Sequence, residues 1–399
     1  MEIAEYIKTL QERVGGTELS FPVAEFEARV AAARRAMAAA DLDALLVTHR
    51  PDLHYLAGYH TFGVGNHACL VLPREGAPAV QTTAMEIPSA TAAGWIADVR
   101  CAPWVGQMGA GGQLAAIVAE KGLGGKRIGV QPQLSGLLPA ILSQIEAGLP
   151  NAKLVDASHL VTRLRLVKSA SEMAALRTAA AYTETGIRAS YGVIAAGITE
   201  NDVVRAGYDA MIAAGSEFMS VQPIATTGVR TGYSHQTYRR NPLRPGDTVF
   251  LEYGGCHLRY TAALMRTAVV GKPSDEVRRV ADAVLATLEA VIAAAKPGRT
   301  GHDVAMAGKR ASASIAREAF LPGAYGYHVG VGFPPTWADG IGFLAEGNED
   351  VLEPEMVFHT PLAFRLPGKF GVGISETIRI TESGCESLTT MPRDLHVAR

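Results

Sequence analysis

The sequence predicts two domains of different texture: an α/β layer domain over residues 1–162 and an α+β domain over residues 163–399. Three observations carry this reading. The 399 residues exceed what one typical core organises, because single domains run up to roughly 250 residues. The first part alternates short apolar runs with Ala-rich amphipathic stretches, the signature of a layered sheet. The second part mixes long helical patterns with β-rich, glycine-rich hairpins that do not alternate strictly.

In chain order, "FPVAEFEARVAAARRAMAAADLDALLV" reads as an amphipathic helix running into a short strand at "ALLV", followed by a turn at Arg50-Pro51-Asp52. Strand-like "ACLVLP", "APAVQTT", "RIGV" and "AKLVDAS" then alternate with helix-like "GQLAAIVAEKG" and "GLLPAILSQIEAG". A long helix opens the second domain at "KSASEMAALRTAA", with Ser169 or Ser171 as N-cap and Glu172 in reach of the first turn. Helices follow at "ENDVVRAGYDAMIAAG" and "SDEVRRVADAVLATLEAVIAAAKPG". The strand candidates are "TVFLEYGG", "LRYTAALMRTAVV", "MVFHTPLAF" and "ISETIRITESG", while "AYGYHVGVGFPPTW" has the glycine content of a bending loop that approaches a ligand closely. There is no internal repeat.

Composition narrows the function classes. With 48% hydrophobic and 19% charged residues the chain can bury a sizeable core, and a net charge of −2 without a long basic run argues against a nucleic-acid stripe or a polybasic membrane patch. The opening "MEIAEYIKTLQERVGG" carries acids and no apolar core region, so a secretory signal is not expected. No stretch reaches the ~18–20 apolar residues of a membrane span, and the expected compartment is the cytoplasm. Cys69, Cys101, Cys256 and Cys385 are far apart in sequence and read as free thiols, with Cys256 the one alternative nucleophile.

The polar residues that could carry chemistry lie in the second part. His235 sits in a polar loop before a strand, where an imidazole can move protons near neutrality. Glu252 stands mid-strand after Val249, Phe250 and Leu251, where a carboxylate is costly unless paired or used. His328 lies in the glycine-rich segment; His359 and Glu376 fall near the last strands, where neighbouring residues face opposite ways and the alternation leaves Glu376 undecided. No HExxH, His/Cys cluster or paired Asp supports a two-metal site.

Five ordered segments, "RLRLVKSASEMAALRTAA", "SHQTYRRNPLRPGDTVFLEYGGCHLRYTAALMRT", "YHVGVGFPP", "LEPEMVFHT" and "ETIRITESG", resemble the successive signatures of the pita-bread fold, the family of creatinase, aminopeptidase P and prolidase. The resemblance covers nearly the whole chain and implies a creatinase-type N-terminal domain ahead of a pita-bread catalytic domain. The family's metallopeptidases carry two Asp, one His and two Glu as metal ligands; the matching positions here are Glu252, Ala263, His328, Pro361 and Ser375. Only two of those can bind a metal in the expected way, so the chain resembles the metal-free branch, and no metal or other cofactor is expected. Within it the resemblance is closer to ectoine hydrolase than to creatinase, which lacks an acid at the position of Glu252. This chain reads Tyr260-Thr261-Ala262 where ectoine hydrolases tend to read Tyr-His-Ala.

The resemblance implies hydrolysis of a non-peptide C–N bond in a small amidine or guanidine zwitterion. Glu252 would be base or nucleophile, His235 the proton shuttle matching creatinase's histidine, and His328 and Glu376 the rest of the polar wall. Substrate contacts would come from Phe62, His67, Tyr260, Thr261, Trp337 and His359. The expected assembly is a homodimer whose N-terminal domain closes over the partner's site through Phe62 and His67. Two other readings stay open: a metal-dependent Xaa-Pro peptidase, and a catalytically silent small-molecule-binding protein.

Overall fold

The computed structural model describes residues 1–102, 109–321 and 323–398. The chain forms two compact units, Met1–Arg165 and Leu166–Arg399.

The first unit is built on a six-stranded sheet: β1 (Ala44–Val47), β2 (Ala68–Pro73), β3 (Ala79–Thr83), β4 (Val99–Ala102), β5 (Arg127–Val130) and β6 (Lys153–Asp156), in spatial order β4-β3-β2-β1-β5-β6. β1 is its centre, antiparallel to β2 and parallel to β5. All four β1 residues are buried because both faces are covered: Leu45 and Val47 enter one core, Ala44 and Leu46 the other. Helices Val23–Ala39, Ala110–Glu120 and Pro139–Gly148 supply the layers. The turn expected at Arg50-Pro51-Asp52 is instead the start of a buried helix, Arg50–Ala57, with Pro51 in its first turn. A first-turn proline removes an N–H that has no helical partner anyway, so it permits this start. Asp52 is fully buried beneath it and is satisfied by Arg165 Nη1 at 2.7 Å and Gln131 Nε2 at 2.7 Å.

The second unit opens with helix Ala170–Val193, capped by Ser169, whose side chain accepts from the Glu172 N–H while Glu172 reaches back to the Ser169 N–H. Helices Glu200–Ala213 and Gly301–Ala311 begin on Thr199 and Thr300 with the same reciprocal capping, and Asp275–Ala294 begins on Ser274, whose side chain accepts from the Val277 N–H. These flank a nine-stranded sheet of β7 (Ile224–Thr227), β8 (Thr248–His257), β9 (Tyr260–Val270), β10 (Ala324–Phe333), β11 (Thr336–Ala345), β12 (Val357–His359), and, beyond a separate hairpin of β13 (Leu362–Leu366) and β14 (Phe370–Ile374), β15 (Thr377–Ile380), β16 (Cys385–Ser387) and β17 (His396–Ala398). The order β16-β15-β12-β10-β9-β8-β7 brings strands distant in sequence side by side.

The segment read as a glycine-rich loop is the long β10–β11 hairpin. Its glycines serve close packing rather than bending: a Cβ on Gly326 would stand 2.6 Å from Leu344 Cδ1, and one on Gly332 2.5 Å from Ser220 Oγ.

Candidate active site

Glu252 is placed by β8, paired with Ile224 of β7 on one side and Met265 of β9 on the other. Its side chain enters a cavity of about 620 Å³. Val221, Ile224, Pro335, Ala338 and Phe343 make the apolar walls; Tyr327 and Trp337 add aromatic ones, and His235 and Thr237 close one side. The Glu252 carboxylate has no hydrogen-bond partner among the described residues. Burial pushes its pKa up from 4.5 to about 7, against the smaller opposing pull of the Arg365 guanidinium. A carboxyl that exchanges its proton near neutrality, in an apolar enclosure of small-molecule size, is suited to acid, base or nucleophilic work.

His235 is exposed and holds φ +54°, a left-handed backbone that a residue with a Cβ adopts only when its surroundings enforce it. The segment around it is anchored on Glu200, almost fully buried at the start of its helix. Its carboxylate accepts from the Thr227 N–H at 2.9 Å, the Arg239 N–H at 2.7 Å, Asn241 Nδ2 at 3.1 Å and the Arg230 guanidinium. Arg230 in turn donates to the Thr237 carbonyl at 2.6 Å, so the segment carrying His235 is tied at both ends.

β10 and β12 place the next residues. Tyr327 pairs directly with His359, and the neighbouring pair is His328 with Phe358. Cross-strand partners share a face and successive residues alternate, so Tyr327 and His359 look one way and His328 the other. Tyr327 lines the cavity with Glu252. Trp337 Nε1–H donates to its hydroxyl at 2.9 Å. His359, fully buried, bridges that hydroxyl (Nδ1, 2.9 Å) and Ser375 Oγ (Nε2, 2.8 Å), and burial pushes its pKa down to about 3, so it is neutral.

His328 is buried on the opposite face. Asp339 accepts from its Nδ1–H at 2.9 Å, and the Lys168 ammonium contacts Nε2 while also donating to the Leu166 carbonyl at 3.1 Å. The other expected site residues are engaged elsewhere. Glu376 is clamped by Arg266 at 2.7 Å and Arg393 at 3.1 Å, because the backbone linking β14 to β15 turns Ser375 toward His359 and Glu376 away from it. Tyr260 donates to Glu172 Oε1 at 2.8 Å, and Thr261 shares a hydrogen bond with Ser220 at 3.2 Å; neither lines the cavity. In the first unit His67 is buried against Gln81 Oε1 at 2.8 Å, whereas Phe62 is 77% exposed. Burial raises the Cys256 thiol to about 12, which removes it as a nucleophile.

The donor set for a dinuclear metal centre does not fit. Of the five matching positions, Ala263 and Pro361 have no donor atom and the Ser375 hydroxyl is bonded to His359 and the Met265 N–H. His328 Nε2 is in contact with the Lys168 ammonium. Among the described residues no group of three or more His, Cys, Asp or Glu side chains could hold a metal ion.

Tyr327, Lys168 and Asp339 escaped the sequence reading. The signal available for Tyr327 was its position directly before His328, which alternation puts on the other face of the same strand.

Comparison with known proteins agrees with this architecture. Residues 29–167 match the creatinase/prolidase N-terminal domain, and residues 174–382 match metallopeptidase family M24. An uncharacterised hydrolase/peptidase of Sinorhizobium fredii is 32% identical over 94% of this chain and 97% of its own. The ectoine hydrolase of Halomonas elongata is 28% identical over 95% of this chain and 98% of its own. Among solved structures, dipeptidase PepE from Mycobacterium ulcerans superposes with a TM-score of 0.80 at 25% identity, covering 95% of this chain and 99% of that one. The X-Pro aminopeptidase of Thermotoga maritima, at 22% identity and a TM-score of 0.79 over 91% of this chain and 98% of that one, shares the fold. With the second unit matched through most of its length and a creatinase/prolidase domain ahead of it, the chain belongs to metallopeptidase family M24.

Proposed function

We propose that this M24 family hydrolase is metal-independent and cleaves a non-peptide C–N bond in a small zwitterion carrying an amidine or guanidine group. The observation that carries the reading is Glu252, a buried carboxylate with no hydrogen-bond partner among the described residues, in a cavity of aromatic and aliphatic walls. A delocalised amidinium would give Glu252 a hydrogen-bonding cation and would lay its flat face against Trp337 and Tyr327. The resemblance to ectoine hydrolase and the failure of the metal donor set support the same reading.

In this mechanism the bound cation draws Glu252 into its ionised form. The carboxylate either takes a proton from a water that adds to the amidine carbon, or adds to that carbon itself and is released by water. His235, at the cavity rim, delivers the proton with which the departing nitrogen leaves. The same reading includes a cytoplasmic homodimer in which the N-terminal domain of one subunit covers the partner's cavity, with Phe62 the exposed residue for that contact.

The test incubates chelator-treated protein with ectoine, hydroxyectoine, creatine and Xaa-Pro dipeptides and follows products by mass spectrometry. Ring-opened or deguanidinated product without metal is the expected result. Dipeptide cleavage that appears only on adding Mn, Co, Zn or Fe overturns it in favour of a peptidase, and thermal stabilisation by a ligand without product overturns it in favour of a binding protein.

A further inference from the structure

The proton inventory around Tyr327 leaves one hydrogen whose placement can be decided. Two donors are fixed, because each has a hydrogen to give and no acceptor role: Trp337 Nε1–H gives to the Tyr327 hydroxyl at 2.9 Å, and the Met265 N–H gives to Ser375 Oγ at 2.6 Å. Between those two oxygens lies His359, fully buried and bonded to two hydroxyls rather than to a carboxylate, and therefore neutral with one N–H and one bare nitrogen. In one arrangement Nε2–H donates to Ser375. The Ser375 hydroxyl hydrogen then has no acceptor among the described residues, although the residue is fully buried. In the other arrangement Ser375 donates to Nε2, Nδ1–H donates to Tyr327, and the unplaced hydrogen belongs to the hydroxyl of Tyr327, a residue that lines the cavity. A buried donor left without an acceptor is costly, whereas one facing a cavity finds water or substrate. The second arrangement wins.

We infer that Tyr327 is a further catalytic residue, a hydrogen-bond donor aimed into the cavity beside Glu252, and that His359 and Ser375 are the positioning residues that hold its hydrogen in that direction. The inference rests on the proposed hydrolytic reading. When water or Glu252 adds to the amidine carbon, the bonding electrons move onto a nitrogen of the substrate; Tyr327 donates a hydrogen bond to that nitrogen and keeps its proton. The contact is made to a lone pair that forms only as the carbon is attacked, so its loss should lower kcat more than it raises KM.

Two measurements test this independently. Long-range ¹⁵N–¹H correlation spectra of ¹⁵N-histidine-labelled protein, with His359 assigned through His359→Gln, read its tautomer without any substrate. The expected result is Nδ1–H in the native protein and loss of that preference in Ser375→Ala, with Ser375→Thr retaining it. An Nε2–H tautomer in the native protein overturns the inference whether or not the protein is a hydrolase. The second is steady-state kinetics on whichever of ectoine or creatine the native protein consumes. Tyr327→Phe should lower kcat by about 10² with KM changed by less than about threefold, and Ser375→Ala should lower kcat with Ser375→Thr restoring it. Near-native kcat in a folded Tyr327→Phe overturns the inference. Failure of the native protein on both substrates counts against the hydrolytic reading and leaves the tautomer result to decide the hydrogen's direction.

Discussion

At the scale of single residues, Glu252 joins stability to chemistry. Its folded pKa of about 7 lies above the 4.5 of the free side chain, so the folded state binds the proton more tightly than the unfolded state. The associated stability is therefore present below about pH 4.5 and is lost as pH rises through about 7. The loss is about 3 kcal/mol at full ionisation, from about 1.4 kcal/mol per pKa unit. Glu252→Gln should remove this pH dependence and make the protein more resistant to urea at pH 8 than the native chain, while cutting turnover at least about a hundredfold. Denaturation curves at pH 5 and pH 8 beside initial rates check both halves. On the proposed mechanism kcat/KM should climb with pH and level off above about 7, because that mechanism works through the ionised carboxylate. Glu252 was legible in the sequence because a carboxylate among Val249, Phe250 and Leu251 needs a reason to be there. Tyr327 was not, since an aromatic residue on a strand has an ordinary role in packing, and Glu376 was not, since its direction depends on a link between strands that alternation does not describe.

Elements decide how firmly those residues are held. The segment carrying His235 depends on one buried carboxylate, so Glu200→Ala should cost about 1–3 kcal/mol and should expose residues 230–240 to limited proteolysis while lowering turnover; Glu200→Gln, which retains acceptor capacity, should do less of each. Trp337 depends on a bare patch of β8: a Cβ on Gly254 would meet Trp337 Cζ3 and Thr261 Cγ2, both at 2.8 Å. Gly254→Ala should displace the indole, shift tryptophan emission and raise KM several-fold, with a stability cost of about 1–3 kcal/mol. The helix capped by Ser169 with Glu172 three residues on was readable in advance. β10 was not, because glycine's local preference is for turns and its use here answers to Leu344 and Ser220, residues brought close only by the tertiary structure.

At the scale of the whole molecule, the two-domain division could be read from texture, and the matches to a creatinase/prolidase domain and to M24 accord with it. Elemental analysis of protein purified without chelator should find well under one equivalent of Mn, Co, Zn or Fe per chain, and EDTA should leave turnover unchanged; a stoichiometric metal lost together with activity would contradict the donor count at positions 252, 263, 328, 361 and 375. The ion-like occupant of this region is covalently attached. The Lys168 ammonium meets His328 at the nitrogen that Asp339 leaves bare, and a Cβ on Gly330 would come within 3.1 Å of the Lys168 Cε. The route back to a metalloenzyme is therefore longer than a count of absent carboxylates implies. Putting acids at positions 263, 361 and 375 would leave the His328 imidazole still engaged by the Lys168 ammonium, and an engineer would have to move that lysine before any free ion could compete for the ring.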